Sequence, residues 1–217
     1  MDVFRGRWQD YVEKIENRWK AIIKDEDTVV IPGDISWAMT LEEAIPDLQF
    51  LNSLPGRKII SKGNHEYWWS TASKINKAFK ENGIDRIELL HNNSLLAEGF
   101  AICGTRGWFT EGNSPKDADY EKIVLREAGR LKMSLEAAEL QDPSAEKLVF
   151  LHFPPAFEGF VCPEIIDTMK AFGVTRCFFG HIHGKYNIAG KYEHDGIELK
   201  LISSDFLDFY PYHIQKN

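Results

Sequence analysis

Four apolar runs in this 217-residue chain end in residues that could ligate a metal. "VVIPGD" ends in Asp34, and "IISKGNHE" carries Asn64, His65 and Glu66. "VFLHF" holds His152, and "CFFGHIHG" holds His181 and His183. Carboxylate, amide oxygen and imidazole are donors that suit Mn, Fe or Zn ions. A His-x-His pair on one loop can aim two rings at neighbouring ions, and a carboxylate can bridge them. Sulfur is not expected to take part. Cys103, Cys162 and Cys177 lie within or beside apolar stretches, with no C-x-x-C spacing. They read as reduced core thiols of a cytoplasmic protein rather than a disulfide frame.

The elements that must position these groups alternate. Apolar residues spaced by three or four predict a helix over residues 3–24. "DTVVIPGD" reads as a buried strand, and Thr40 as the cap of a helix "LEEAIPDLQFLNSL". "RKIISKGN" is a second strand, and "STASKINKAFKENG" a helix stopped by Gly83. "RIELLHNNSLLAEGFAICGTRGWF" reads as a hairpin turning at Asn92-Asn93, followed by another strand. Residues 115–141 form a long polar helix. "KLVFLHF" and "RCFFGH" are strands on either side of the helix "PEIIDTMKAFG". "KYNIAGKYEHDGIELKLISS" closes the chain with antiparallel strands turning at Asp195-Gly196. Strand–helix alternation in the front half favours parallel pairing, and the hairpins make the sheet system mixed. In open α/β sheets, sites form beyond the carboxyl ends of strands, where every candidate ligand falls.

Composition bounds the function. A net charge of −7 does not supply the phosphate-neutralising surface that nucleic-acid binding needs. No apolar stretch approaches the ~20 residues of a membrane span. With no linker-like segment, residues 1–217 read as one domain. His91, His194 and His213 fall in a turn, a hairpin and a tail, and are not expected to be ligands. The sequence leaves the oligomeric state undetermined.

The ordered blocks G-D, G-N-H-E, a lone strand-end His and G-H-x-H resemble the calcineurin-like metallophosphoesterase superfamily. The pieces "PGDISWAM", "KGNHEYWW" and "GTRGW" look like a bacterial branch of predicted phosphohydrolases within it. The resemblance implies an αββα sandwich, with two mixed sheets face to face and helices outside. It also implies two divalent metal ions. The family's signature opens with a strand ending in D-x-H, and no D-x-H occurs ahead of Asp34. The first strand is therefore expected to be missing.

The resemblance makes Asp34 the bridging ligand and gives Asn64, His152 and His181 to the second metal. His183 would serve the first metal, whose Asp and His partners are absent, so this chain is expected to hold one ion tightly. The activity implied is hydrolysis of a small phosphomonoester or phosphodiester by metal-activated hydroxide. His65 would protonate the leaving group. Glu66 would orient a histidine from behind, and Arg106 in "GTRGW" would clamp a phosphate. The alternative is a catalytically impaired relative, kept as a metal-bound scaffold.

Overall fold

The structure, a computed structural model, describes residues 6–110 and 119–216. The chain opens with a 3-10 turn at Gly6–Trp8 and helix α1 (Tyr11–Ile22). It continues through β1 (Thr28–Ile31), α2 (Leu41–Ser53), β2 (Arg57–Ile60), α3 (Ala72–Glu81) and β3 (Ile87–Leu89). Next come β4 (Leu95–Ala97), β5 (Phe100–Thr105), α4 (Tyr120–Gln141), β6 (Glu146–Leu151) and the short pair β7 (Ala156–Phe157) and β8 (Phe160–Val161). Helix α5 (Pro163–Ala171), β9 (Arg176–Phe179), β10 (Lys191–His194) and β11 (Ile197–Leu201) complete it. The expected starts of the first and fourth helices, residues 3–5 and 115–118, lie outside the described residues. Helix α1 begins only at Tyr11 because Asp10 adopts a left-handed backbone, φ 54°.

Two sheets face one another. The smaller has the order β1-β2-β3 and is parallel throughout. The larger has the order β10-β11-β9-β6-β5-β4 and is the mixed one. Period-two alternation along each strand assigns the layers. From β2 and β6, Ile59, Leu148 and Phe150 enter a core between the sheets, joined by Ile102 and Phe178. Their chain neighbours point outward. Ile60 packs with Leu48, Leu51, Ile75 and Phe79 of α2 and α3. Val149, Leu151, Cys177 and Phe179 pack with Leu131 and Leu135 of α4 and Ile165 and Met169 of α5. Helices thus cover both outer faces. Thr40 caps α2 through a capping box with Glu43.

The hairpin expected at Asn92-Asn93 does not form. β3 pairs with β2 in the small sheet, whereas β4 pairs with β5 in the large one. Asn93 holds the crossing between sheets: its Oδ1 accepts from His91 N (2.6 Å) and its Nδ2 donates to Leu89 O (3.1 Å). The hairpin turns instead at Glu98-Gly99, where both residues have positive φ (52° and 85°), as a two-residue type I′ turn requires. Asp195-Gly196 turns the β10–β11 hairpin with φ of 51° and 80°.

The other edge of β1 carries no strand among the described residues, and β1 is half-buried along its whole length. A cavity of about 1090 Å³ follows that edge. Val30, Ile31, Phe150 and Phe178 line it, and it reaches His152 and His181. No helix among the described residues is long and apolar enough to cross a membrane.

Candidate metal centre and its surroundings

Each ligand candidate sits just beyond a strand's carboxyl end. His152 follows β6 directly, His181 stands two residues after β9, Asp34 three after β1, and Asn64 four after β2. Within each sheet these strands are parallel neighbours, so their ends open on one rim. Asp34, His152 and His181 each offer a ligand atom, all within 4.8 Å of one another. Asn64 joins them, with its Oδ1 2.6 Å from His152 Nε2. Asp34 and His181 both hold left-handed backbones (φ 57° and 66°). Such conformations are uncommon for residues other than glycine and cluster at functional sites.

Two glycines let the Asp34 and Asn64 loops touch. A Cβ on Gly33 would lie 2.4 Å from Gly63 N, and one on Gly63 would lie 2.2 Å from Asp34 Oδ1. The buried Glu66 carboxylate binds the same two loops. It accepts from Gly63 N (2.6 Å), Asp34 N (3.0 Å) and Ile35 N. The sequence predicts that Glu66 orients a histidine; in the structure its carboxylate accepts from backbone N–H groups instead. Burial pushes the Glu66 carboxyl up to about 7, as does the neighbouring Asp34 charge, while the three N–H donors pull the other way.

The imidazoles are neutral. Burial drives His152 down to about 3 and His181 down to about 4, and His181 is lowered further by His152 beside it. A neutral ring keeps a lone pair for a metal. His152 Nδ1 lies 3.0 Å from Pro32 O. A carbonyl can only accept, so Nδ1 holds the proton and Nε2 presents its lone pair to the site. Asn64 Oδ1 and Asp34 Oδ2 then meet that lone pair at 2.6 and 3.5 Å. Acceptors this close repel unless a cation sits among them, so the donor set fits a divalent ion. Phe153 packs edge-on against His181 (4.5 Å between ring centroids) and limits access on that side.

The structure does not bring His183 into this cluster. Its Nδ1 pairs with Asp205 Oδ1 at 2.7 Å, and Trp8 packs edge-on against its ring. Asp205 is fully buried and also accepts from Gly184 N and Tyr186 Oη. The sequence reading did not single out this carboxylate; the only signal was its place a few residues beyond the end of β11. His65 stands beside the cluster. Its N–H donates to Asp34 Oδ1 (3.0 Å), its ring stacks on Trp37 (4.2 Å, 20°), and Tyr67 Oη lies 3.4 Å from its Nδ1. Trp37 was another residue without an assigned role, because stacking partners leave no spacing signal. Arg106 lies behind Phe153, 4.0 Å from Glu127. His91, His194 and His213 are not part of the cluster.

A family model for calcineurin-like phosphoesterases matches residues 4–185. The chain belongs to that family. As a calcineurin-like phosphoesterase it is a metal-dependent phosphoesterase in general terms, with Asp34, His152 and His181 as a candidate metal site. The crystal structure of TT1561 of Thermus thermophilus superposes with a TM-score of 0.59 at 13% identity, covering 92% of this chain and 86% of that one. At that identity the likeness speaks to the fold. A search of curated proteins found no match.

Proposed function

We propose that this calcineurin-like phosphoesterase hydrolyses a small phosphomonoester or phosphodiester at the Asp34–Asn64–His152–His181 cluster, in the cytoplasm. The observation that supports it most is the pair of neutral imidazoles, His152 buried and His181 half-buried, facing two oxygen donors across a gap that suits a cation. A divalent ion held there would supply a Lewis acid and lower the pKa of a water, the usual contribution in hydrolysis. Mn, Fe and Zn all suit this donor set.

The chain's own residues do the rest. Asp34 and Asn64 orient oxygen donors from the small sheet, and His152 and His181 orient nitrogens from the large one. His65 donates a proton to the leaving oxygen, with its ring held flat by Trp37. Glu66 keeps the two oxygen-bearing loops in register. Phe153 shields one flank from water. Arg106 contacts a phosphate.

One observation favours the scaffold alternative: the group of ligand atoms gathered among the described residues is Asp34, His152 and His181, and His183, whose Nδ1 is held by Asp205, lies outside it. The test is phosphatase and diesterase assays with Mn, Fe and Zn in turn. Metal-dependent hydrolysis that disappears in His152→Ala together with bound metal supports catalysis. Tight metal binding without turnover of monoesters or diesters supports the scaffold.

A further inference from the structure

A second pocket opens on the same rim. It measures about 200 Å³, several times the ~30 Å³ share of a water molecule. Lys62, Arg106, Arg126 and Arg130 line it, with Glu127 as the only carboxylate among the described lining residues. In a chain of net charge −7, four cationic side chains converge on one acid. Glu127 is fully buried and already engaged, by Thr105 Oγ1 (2.7 Å), Arg130 Nη1 (2.6 Å) and, more distantly, Arg106 Nη2 (4.0 Å). Three positive charges are left without a countercharge among the described lining residues.

Two buried polar atoms of the lining residues have no hydrogen-bond partner among the described residues: Ser61 Oγ and Arg106 Nε. Ser61 is 1% exposed and lines the pocket. Buried polar atoms are normally satisfied, and an unsatisfied one marks a missing partner. A hydroxyl beside converging guanidinium groups matches a phosphate, which takes bidentate hydrogen bonds from arginine.

The place of the pocket relates it to the metal cluster. Lys62 precedes Asn64 by two residues, a span of at most about 7 Å. Arg106 O accepts from Phe153 N (2.9 Å), the residue after His152. We propose that this pocket binds a phosphate group distinct from the one hydrolysed, either carried on the substrate or free. The substrate-borne case rests on the function proposed above and narrows the substrate class to compounds with two anionic groups.

The test has two arms. In the first, metal-stripped protein is titrated with inorganic phosphate by calorimetry, so the metal cluster takes no part. Wild type is expected to bind one phosphate, and Arg126→Ala and Ser61→Ala to bind at least 10-fold more weakly. Arg126 is exposed and Ser61 Oγ makes no bond among the described residues, so neither change should unfold the protein; circular dichroism checks this. No binding by wild type, or equal binding by both variants, overturns the proposal.

In the second arm, Mn-loaded protein is assayed with fructose 6-phosphate and fructose 1,6-bisphosphate. A KM about 10-fold lower for the bisphosphate, with the gap closing in Arg126→Ala, supports a substrate-borne phosphate. Equal KM values with the first arm positive support free phosphate as the ligand. Absence of turnover on every substrate removes the catalytic reading, while the first arm still decides the pocket.

Discussion

The two sheets deliver their ligands from unequal frames. β6 and β9 are interior strands of the large sheet, and their last residues, Leu151 and Phe179, are fully buried. His152 and His181 leave those strands within two residues, so the packed strand ends do most to place the imidazoles, with one hydrogen bond from His152 Nδ1 to Pro32 O. β1 is an edge strand, half-buried, with a cavity along its free side. Asp34 and Asn64 stand three and four residues beyond their strands, and packing cannot place them at that range. The small-sheet side makes up the deficit with specific devices: glycine-to-glycine loop contact and the Glu66 carboxylate. Rigidity comes mainly from burial on one side of the site and mainly from polar bracing on the other.

The sharpest way to break that comparison is a pair of glycines. Gly63→Ala drives a methyl into Asp34 Oδ1 and N, at 2.2 and 2.6 Å, and the neighbour is backbone-anchored. Bound metal and activity should both be lost. On the large-sheet side, a Cβ on Gly180 meets nothing nearer than His152 O at 3.8 Å. Gly180→Ala should keep its metal by elemental analysis. Equal damage from both substitutions would mean that the two frames do not differ.

His65 adds a test of roles within the small-sheet side. His65→Ala should leave metal content unchanged but cut kcat by roughly 10²–10⁴. The loss should shrink for p-nitrophenyl phosphate, whose leaving group needs little protonation. Loss of metal alongside activity would recast His65 as a ligand.

Replacing the brace should be costly in stability. Glu66→Leu leaves one buried and two part-buried N–H groups without an acceptor, and a fully buried group of this kind costs about 1–3 kcal/mol. A fall of about 3 kcal/mol or more in urea unfolding is expected, with weaker metal binding. An unchanged unfolding midpoint would show that the loops hold their positions without Glu66.

The histidines supply a pH test on metal-free protein. Both have folded-state values below the usual 6.5, about 3 for His152 and about 4 for His181. A depressed histidine contributes stability that is present above its unfolded value and lost as pH falls below it. The melting temperature should therefore drop as pH falls from about 6.5 toward 4, and His152→Asn should flatten that drop. A flat profile in wild type would argue against buried neutral rings.

The smallest effect concerns thiols. Cys103, Cys162 and Cys177 are free, buried and confined to the large-sheet half. Burial pushes Cys103 up to about 11 and Cys162 to about 12, and raises Cys177 further. Native protein at pH 8 should react with a disulfide reagent slowly at all three. Fast labelling would show that the large half opens more readily than its packing implies.

Ligand candidates were legible in the sequence because ligation requires particular residue types. Asp34, Asn64, His152 and His181 had to follow strands, and short apolar runs ending in Gly or His marked where strands stop. The Asp195-Gly196 turn and the Thr40 cap were equally local, since each depends on backbone geometry within four residues. Sheet membership was not local. β3 and β4 looked like a hairpin because two apolar runs flank two asparagines, yet they join different sheets, and only the inter-sheet core decides that. Pairing of His183 with Asp205, bracing of two loops by Glu66, and gathering of Lys62, Arg106, Arg126 and Arg130 around Glu127 likewise join residues distant in sequence. Periodicity and motif spacing carry information about neighbours along the chain, whereas these contacts depend on where folding brings separate strand ends and helix faces together.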